Sequence, residues 1–408
     1  MSETSPEARV GRVEFTGSRH ELFDIVIAGY ALMLPTIGLY RFWQATWKRR
    51  FYWQNTIIDG EPLEYTGTAT QLLAGFFFAL AFFVPIYVAL FYFSMQDSNL
   101  VVLGYVVVGA VIWFLMGYAI YRARDFRLSR TLWRGIRFDQ RGNAWAFAIR
   151  RFLWSILMVL TLGLVYPWMA SSLWKYRWRN TWFGDRRFDI AGNWRCFAGV
   201  YYAAYFFNAF TIGATIIGIA ATHDLMVVDT VTIPGPLGIT AACGCVLLLA
   251  LSFAWYRTRS VSAMLSTVSL GEAKITMRVP TGSLFGQFVL YVVGVVLLLA
   301  VLALTALLVI GSIYVTATRG PHLANGDALV SMFQSGTLNV VLFILIYLVI
   351  LGAFGILAEL ILSLGWWKLL ARGASFTNPD SLRSVRAAAE DHSLIGQGLA
   401  DALNVGAY

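Results

Sequence analysis

The sequence predicts an α-helical multi-pass membrane protein: six transmembrane helices, with eight as the alternative, in parallel internal repeats carrying short cytoplasmic β-hairpins. Three observations predict it. Of 408 residues, 58% are hydrophobic and 13% charged, whereas about a quarter of a soluble domain is charged. Residues 36–67 have a second, ungapped copy 125 positions downstream. The basic residues fall almost entirely between alternate pairs of apolar runs, as the positive-inside rule demands.

Six apolar runs, near 70–94, 99–121, 197–222, 236–256, 285–317 and 337–367, reach the roughly 20 residues that a helix needs to cross hydrocarbon. Two shorter runs, 22–41 and 147–169, are broken by Pro35 with Gly38 and by Gly163 with Pro167. With only the six long runs crossing, 30 of the 31 Lys and Arg residues share one face, and Arg319 alone lies opposite. If the two short runs crossed as well, the split would be 17 to 14. The first arrangement obeys the topogenic rule, so both termini are expected in the cytoplasm and the short runs as in-plane helices or re-entrant hairpins. The first twenty residues contain no apolar core of the kind a signal peptide needs.

The cytoplasmic pieces between crossings read as β-structure, and the opposite face carries loops at 96–99, 222–236 and 318–336. Thr56 to Tyr65 alternates around Asp59-Gly60, a pair suited to a turn with positive φ at both central residues. The layout recurs around Gly135, Gly184 and Gly271. A lone hairpin is marginal in water, so the four are expected to pair with one another and with the strand-like residues 12–17. The repeats are then a unit at 12–142 and a unit at 143–282, each holding a broken helix, a hairpin, two crossings and a second hairpin. A third helical hairpin spans 283–373, between a disordered start at 1–11 and a cytoplasmic tail at 374–408.

The duplication keeps Thr36, Gly38, Leu39, Trp43, Ala45, Trp53, Asn55, Thr56 and Gly67 as Thr161, Gly163, Leu164, Trp168, Ala170, Trp178, Asn180, Thr181 and Gly192. Around these lie two belts of cations and aromatics: Trp43, Lys48, Arg49, Arg50 and Trp53, then Trp168, Lys175, Arg177, Trp178 and Arg179. Such belts anchor helices at the bilayer interface, with cations against anionic headgroups. The expected partner is therefore the lipid bilayer, together with a protein partner of unspecified identity, and not nucleic acid.

Glu359 is the one carboxylate well inside a long crossing run. Nine residues separate it from Lys368, about 13 Å at helical rise, which places it in the cytoplasmic half of the bilayer. An ionisable group there is a candidate proton or cation site, or an ion-pair partner. Asn208, Thr211 and Thr215 form a polar stripe on a crossing helix, either lining a path or hydrogen-bonding between helices. Cys196, Cys243 and Cys245 lack metal or disulfide spacing, and the four histidines lie far apart. No catalytic residue, metal ligand or cofactor site is indicated.

The pattern Phe15, Gly17, Glu21 to Phe23, then Thr36, Gly38 to Tyr40, Trp43, Arg49, Asp59-Gly60 and Tyr65 to Gly67, with the tail at 395–406, resembles the YjgN-like family of bacterial inner-membrane proteins. Pro35 and Asn404 depart from its usual pattern. The resemblance implies a multi-pass inner-membrane location and no known chemistry, so no site residue carries over. Two roles stay open: transport or lipid handling through a cavity between repeats near Glu359, or a non-catalytic structural or adaptor protein docking a partner or anionic lipid through its β cap. A hydrated pocket containing Glu359 would favour the first, a dry interior the second.

Overall fold

The positive φ angles needed for tight turns are taken up where the sequence supplies them: Asp59 and Gly60 at 50° and 86°, Arg134 and Gly135 at 53° and 72°, Gly184 at 56° and Gly271 at 59°. Each turn closes a hairpin whose first strand follows directly on a helix. The structure, a computed structural model, describes residues 9–95, 100–222, 225–228, 231–319 and 336–387. The described strands are β1 Val10–Phe15, β2 Thr56–Ile58, β3 Glu61–Tyr65, β4 Thr131–Trp133, β5 Ile136–Gln140, β6 Thr181–Phe183, β7 Arg186–Ile190, β8 Leu225–Val228, β9 Val231–Pro234, β10 Val268–Leu270, β11 Ala273–Met277 and β12 Ala374–Thr377.

Helices run in pairs between the hairpins: α1 Arg19–Met33 with α2 Arg41–Gln54, α3 Ala69–Ser94 with α4 Leu100–Ser129, α5 Ala144–Leu160 with α6 Tyr166–Arg179, and α7 Arg195–Thr222 with α8 Pro236–Leu265. The last pair is α9 Thr281–Arg319 and α10 Gly336–Leu357, which continues through a π-helical turn, Ala358–Ser363, into α11 Leu364–Gly373. Among the described residues, six helices are long and apolar enough to cross a membrane, and they fall on the six expected runs. The architecture is that of a multi-pass membrane protein.

The expectation of short hairpins needs correcting. Ten strands close into one barrel in the order β1, β12, β11, β10, β7, β6, β5, β4, β3, β2. An isolated hairpin leaves two unpaired edges, and closure removes them all. The seam is β1 against β12, with Val10 opposite Thr377 and Arg12 opposite Ser375. Residues 374–377, read from sequence as the start of a tail, thus supply a barrel strand. Five hairpins stand in the ring, and the fifth is split between the two ends of the chain. The connection after α7, expected as a plain loop, contains the separate two-stranded hairpin of β8 and β9. His223, Asp224, His322, His392, residues 96–99, most of 318–336 and the 395–406 motif lie outside the described residues.

Closure also decides how the two broken runs travel. β1 and β2 are neighbours in the barrel, as are β5 and β6, so α1–α2 and α5–α6 leave and rejoin the same end. Each pair therefore returns to the barrel end from which it set out. The breaks share one geometry: Ile37 and Gly38 at φ 51° and 80°, Leu162 and Gly163 at 49° and 93°. Gly38 N–H donates to Met33 O and Gly163 N–H to Met158 O, each at 2.8 Å. Backbone groups that leave a helix among apolar residues need other partners. At the second break the hydroxyls of Tyr205, Tyr201 and Tyr202 on α7 donate to the carbonyls of Leu162, Gly163 and Leu164 at 2.8, 2.8 and 2.9 Å.

The barrel is filled. Phe188 and Ile190 of β7 point inward while Arg187 and Asp189 point out, the period of two expected of a strand. With Trp133, Phe183, Val268, Leu270 and Phe376 they form an apolar core. A 3-10 turn, Pro379–Ser384, folds over the mouth at the hairpin tips, and Leu382 and Val385 join that core. Asp185 pins the turn in place: its N–H donates to Arg386 O at 3.0 Å, and its Oδ1 accepts from Arg386 N–H at 3.1 Å.

Candidate functional site

Each helix entering the barrel must satisfy its last carbonyls, and threonine does so at four junctions. Thr56, Thr131, Thr181 and Thr267 donate to Tyr52 O, Arg127 O, Arg177 O and Met264 O at 2.6, 2.8, 2.8 and 2.6 Å. The same hydroxyls accept from neighbouring elements: Thr56 from Trp367 Nε1 at 2.9 Å, Thr131 from Trp53 Nε1 at 2.8 Å and Thr181 from Arg124 at 2.8 Å. These bonds fix the helix ends relative to one another. The residues one and two turns earlier on those helices therefore face a common space.

That space is a chamber of about 790 Å³ directly below the barrel, walled by α2, α6, α8 and the π-turn with α11. Its volume lies in the range of ligand sites, about 300–1,000 Å³. Five basic side chains, Arg41, Lys48, Arg49, Arg177 and Arg257, line it against one carboxylate, Glu359. Apolar residues such as Leu72, Met169, Leu173, Val261 and Leu370 make up much of the rest. Trp174 contributes to the chamber wall and also packs beneath the barrel core.

Glu359 sits in the π-helical turn, a distortion that often marks functional positions. Its Oε2 accepts from Lys48 Nζ and its Oε1 from Tyr52 Oη, both at 3.1 Å. Both partners come from α2, the helix that carries the first belt. Tyr30 of α1 also feels this carboxylate, and its hydroxyl pKa is raised by burial first and by Glu359 second. Gln44, buried, donates to Val26 O at 3.1 Å and ties α2 to α1.

Arg177 lies deep in the protein and opens onto the chamber. Its guanidinium lies over the Trp174 ring at 5.7 Å, and it forms no ion pair among the described residues. Its Nε and the Trp174 Nε1 are buried donors lacking an acceptor among the described residues. Burial holds the Arg177 pKa below its ordinary value; Tyr166 offsets this in part, while Arg127 and Arg151 add to it. Arg257 lies over Trp366 at 5.3 Å. Arg49 donates to Tyr65 Oη at 3.1 Å.

The two belts therefore do not form a single outward plane. Lys48, Arg49 and Arg177 turn to the chamber. Trp53 packs against Tyr65 and Trp367, and Trp178 against Phe188 at the barrel base. Arg50 donates to Gly67 O at 3.4 Å. Trp43 stacks on Tyr40, Trp168 stacks on Trp194, Lys175 is half-buried and Arg179 is exposed. The Asn208 stripe is elsewhere: Thr211 and Thr215 bond back to their own helix, at Phe207 O and Thr211 O, each at 2.8 Å, and none of the three lines the chamber. Asn208 Oδ1 is buried without a donor among the described residues.

Sequence reasoning passed over Arg41, Arg257 and the π-turn as site elements. Arg257 lies in YRTR, which echoes YRAR at 121–124, so a signal existed. Arg41 lies two residues before the duplicated Trp43.

A family model described as "Bacterial protein of unknown function (DUF898)" matches residues 10–402. No curated protein and no solved structure matches this chain.

Proposed function

We propose, for a chain that belongs to this bacterial family of unknown function, that it is an integral inner-membrane protein that takes a membrane-derived amphipathic ligand into the chamber below its barrel, for transport or lipid handling. The observation carrying this reading is the chamber itself. It joins Glu359 and three belt cations to an apolar wall, whereas an adaptor needs only a packed interior and a docking surface. Amphipathic lining suits a ligand with one charged end and one greasy end. The barrel stands on the cytoplasmic face in this reading, because every basic residue of the hairpins and of the helix ends entering them belongs to the 30 that avoid translocation. The helix pairs and hairpins descend from parallel internal repeats, since each returns to the barrel end and the breaks at Gly38 and Gly163 coincide.

Photoactivatable lipid analogues in native membranes test the reading. Crosslinks are expected on Tyr52, Met169 and Met264, which face the chamber. Labelling confined to outward residues such as Phe78 and Phe210 overturns it. A cysteine at Asp185 should react in inverted vesicles and not in intact cells, and the opposite result inverts the topology.

A further inference from the structure

The chamber reading leaves its ligand undefined, and the charges on its wall narrow the choice. Five cations face one carboxylate, and that carboxylate is already held by Lys48 and Tyr52. Arg177 and Arg257 lie over the rings of Trp174 and Trp366 and form no ion pair among the described residues. Two buried donors on neighbouring turns of α6, Arg177 Nε and Trp174 Nε1, have no acceptor there either.

A guanidinium deep in a protein without a counter-ion is costly. Arginine cannot readily escape the cost by deprotonating, because its intrinsic pKa is so high. The arrangement is resolved by a ligand that brings negative charge and several acceptor oxygens at once. Phosphate does so, and its tetrahedral oxygens suit the fork of a guanidinium. A carboxylate ligand offers two oxygens and fits the pair of orphan donors, but leaves Arg257 without a partner. The apolar wall opposite then takes the ligand's hydrocarbon.

We infer that the chamber binds a phosphate-bearing anion, with Arg177 as its deep anchor, Trp174 as a second donor and Arg257 as a cation nearer the α11 side. This rests on the chamber reading above. The Lys48–Glu359 pair leaves the carboxylate neutralised, so it does not repel the incoming anion.

Purified full-length protein is titrated with dihexanoyl phosphatidylglycerol, dihexanoyl phosphatidylcholine and inorganic phosphate, with indole fluorescence as readout because Trp174 and Trp366 line the site. Wild type is expected to bind the anionic lipid about tenfold or more tighter than the zwitterionic one. Arg177→Gln should abolish that preference, and Arg177→Lys should restore part of it. If Arg177→Gln fails to fold, Arg257→Gln must weaken the same preference by at least about threefold. Phosphate alone binding with Arg177-dependence supports the phosphate class with a soluble source; lipid binding much tighter than phosphate supports a headgroup source. Equal affinity for the two lipids, or an unchanged preference in Arg177→Gln and Arg257→Gln, overturns the inference. Ala170→Trp, which puts an indole into the chamber beside Arg177 and Trp174, separates the two levels. If it abolishes binding of both lipids while Arg177→Gln does nothing, the chamber stands and the anion falls. If it leaves all binding intact, the chamber reading itself fails.

Discussion

The barrel interior and the chamber below it share walls, yet one is filled with rings and the other is hollow and charged. Trp174 touches both, packing under the core that holds Phe183 and Phe188 while facing the space that holds Arg177 and Glu359. The difference lies in which residues the sequence places just before and just after each helix-to-strand junction. After it, alternation sends Val268, Leu270, Phe188 and Ile190 inward. Before it, Tyr52, Arg177 and Trp367 face a gap that side chains do not close. The barrel is thus a clamp that sets helix spacing and not a conduit, and the chamber is the space that this clamping produces.

This contrast can be broken at its ends. Phe183→Ala removes a ring with 1% exposure from the clamp and is expected to cost about 3–5 kcal/mol, read as a fall in the denaturant midpoint in detergent. A change under about 1 kcal/mol would mean that the barrel does not support the fold. Next comes Glu359→Gln on the chamber side. It leaves Lys48 without its ion pair, and since both side chains keep some exposure the expected cost is about 1–3 kcal/mol, short of a fully buried pair. A double-mutant cycle with Lys48→Met should recover most of it, and strict additivity would show that the pair is not formed.

Smaller effects sharpen the comparison. Gly163→Ala forces a side chain to φ 93° at the second break, with an expected loss of about 1 kcal/mol. Gly38→Ala should match it if the two broken helix pairs are equivalent. Smallest is Arg9→Ala at the seam: Arg9 is 52% exposed and pairs with Asp59 and Asp380 at 3.2 and 3.1 Å. Screening limits the loss to under about 1 kcal/mol, measured by chemical denaturation at low and high salt.

Much of the clamp was legible before any coordinates. Asp59-Gly60 announces its turn because few residue pairs accept positive φ twice, and the 125-residue offset pairs Gly38 with Gly163. The six crossing runs follow from length and hydropathy alone. Closure was not legible, since β12 is only ASFT and its partner β1 lies more than 360 residues away; no local pattern encodes a pairing at that range. The β8–β9 hairpin was missed because its short strands sit between long apolar runs that dominate the reading. Of the site, Glu359 was found by its cost in lipid. Its partner Lys48 appeared only as part of a belt, and a belt does not say which of its cations turn inward. The Asn208 stripe was given equal weight and lies apart from the chamber, because a period on one helix says nothing of what that helix faces.

The β1–β12 seam has a kinetic meaning. Ring closure waits until residue 377 has left the ribosome, so during synthesis the strands of the earlier helix pairs stand without their closing partner. Transferring the opening to another hairpin, as in a circular permutant cut at Gly271 with the natural termini joined by a linker, would give the nascent chain a different last strand to wait for. Assembly yield would then report which gap the growing protein tolerates for longest.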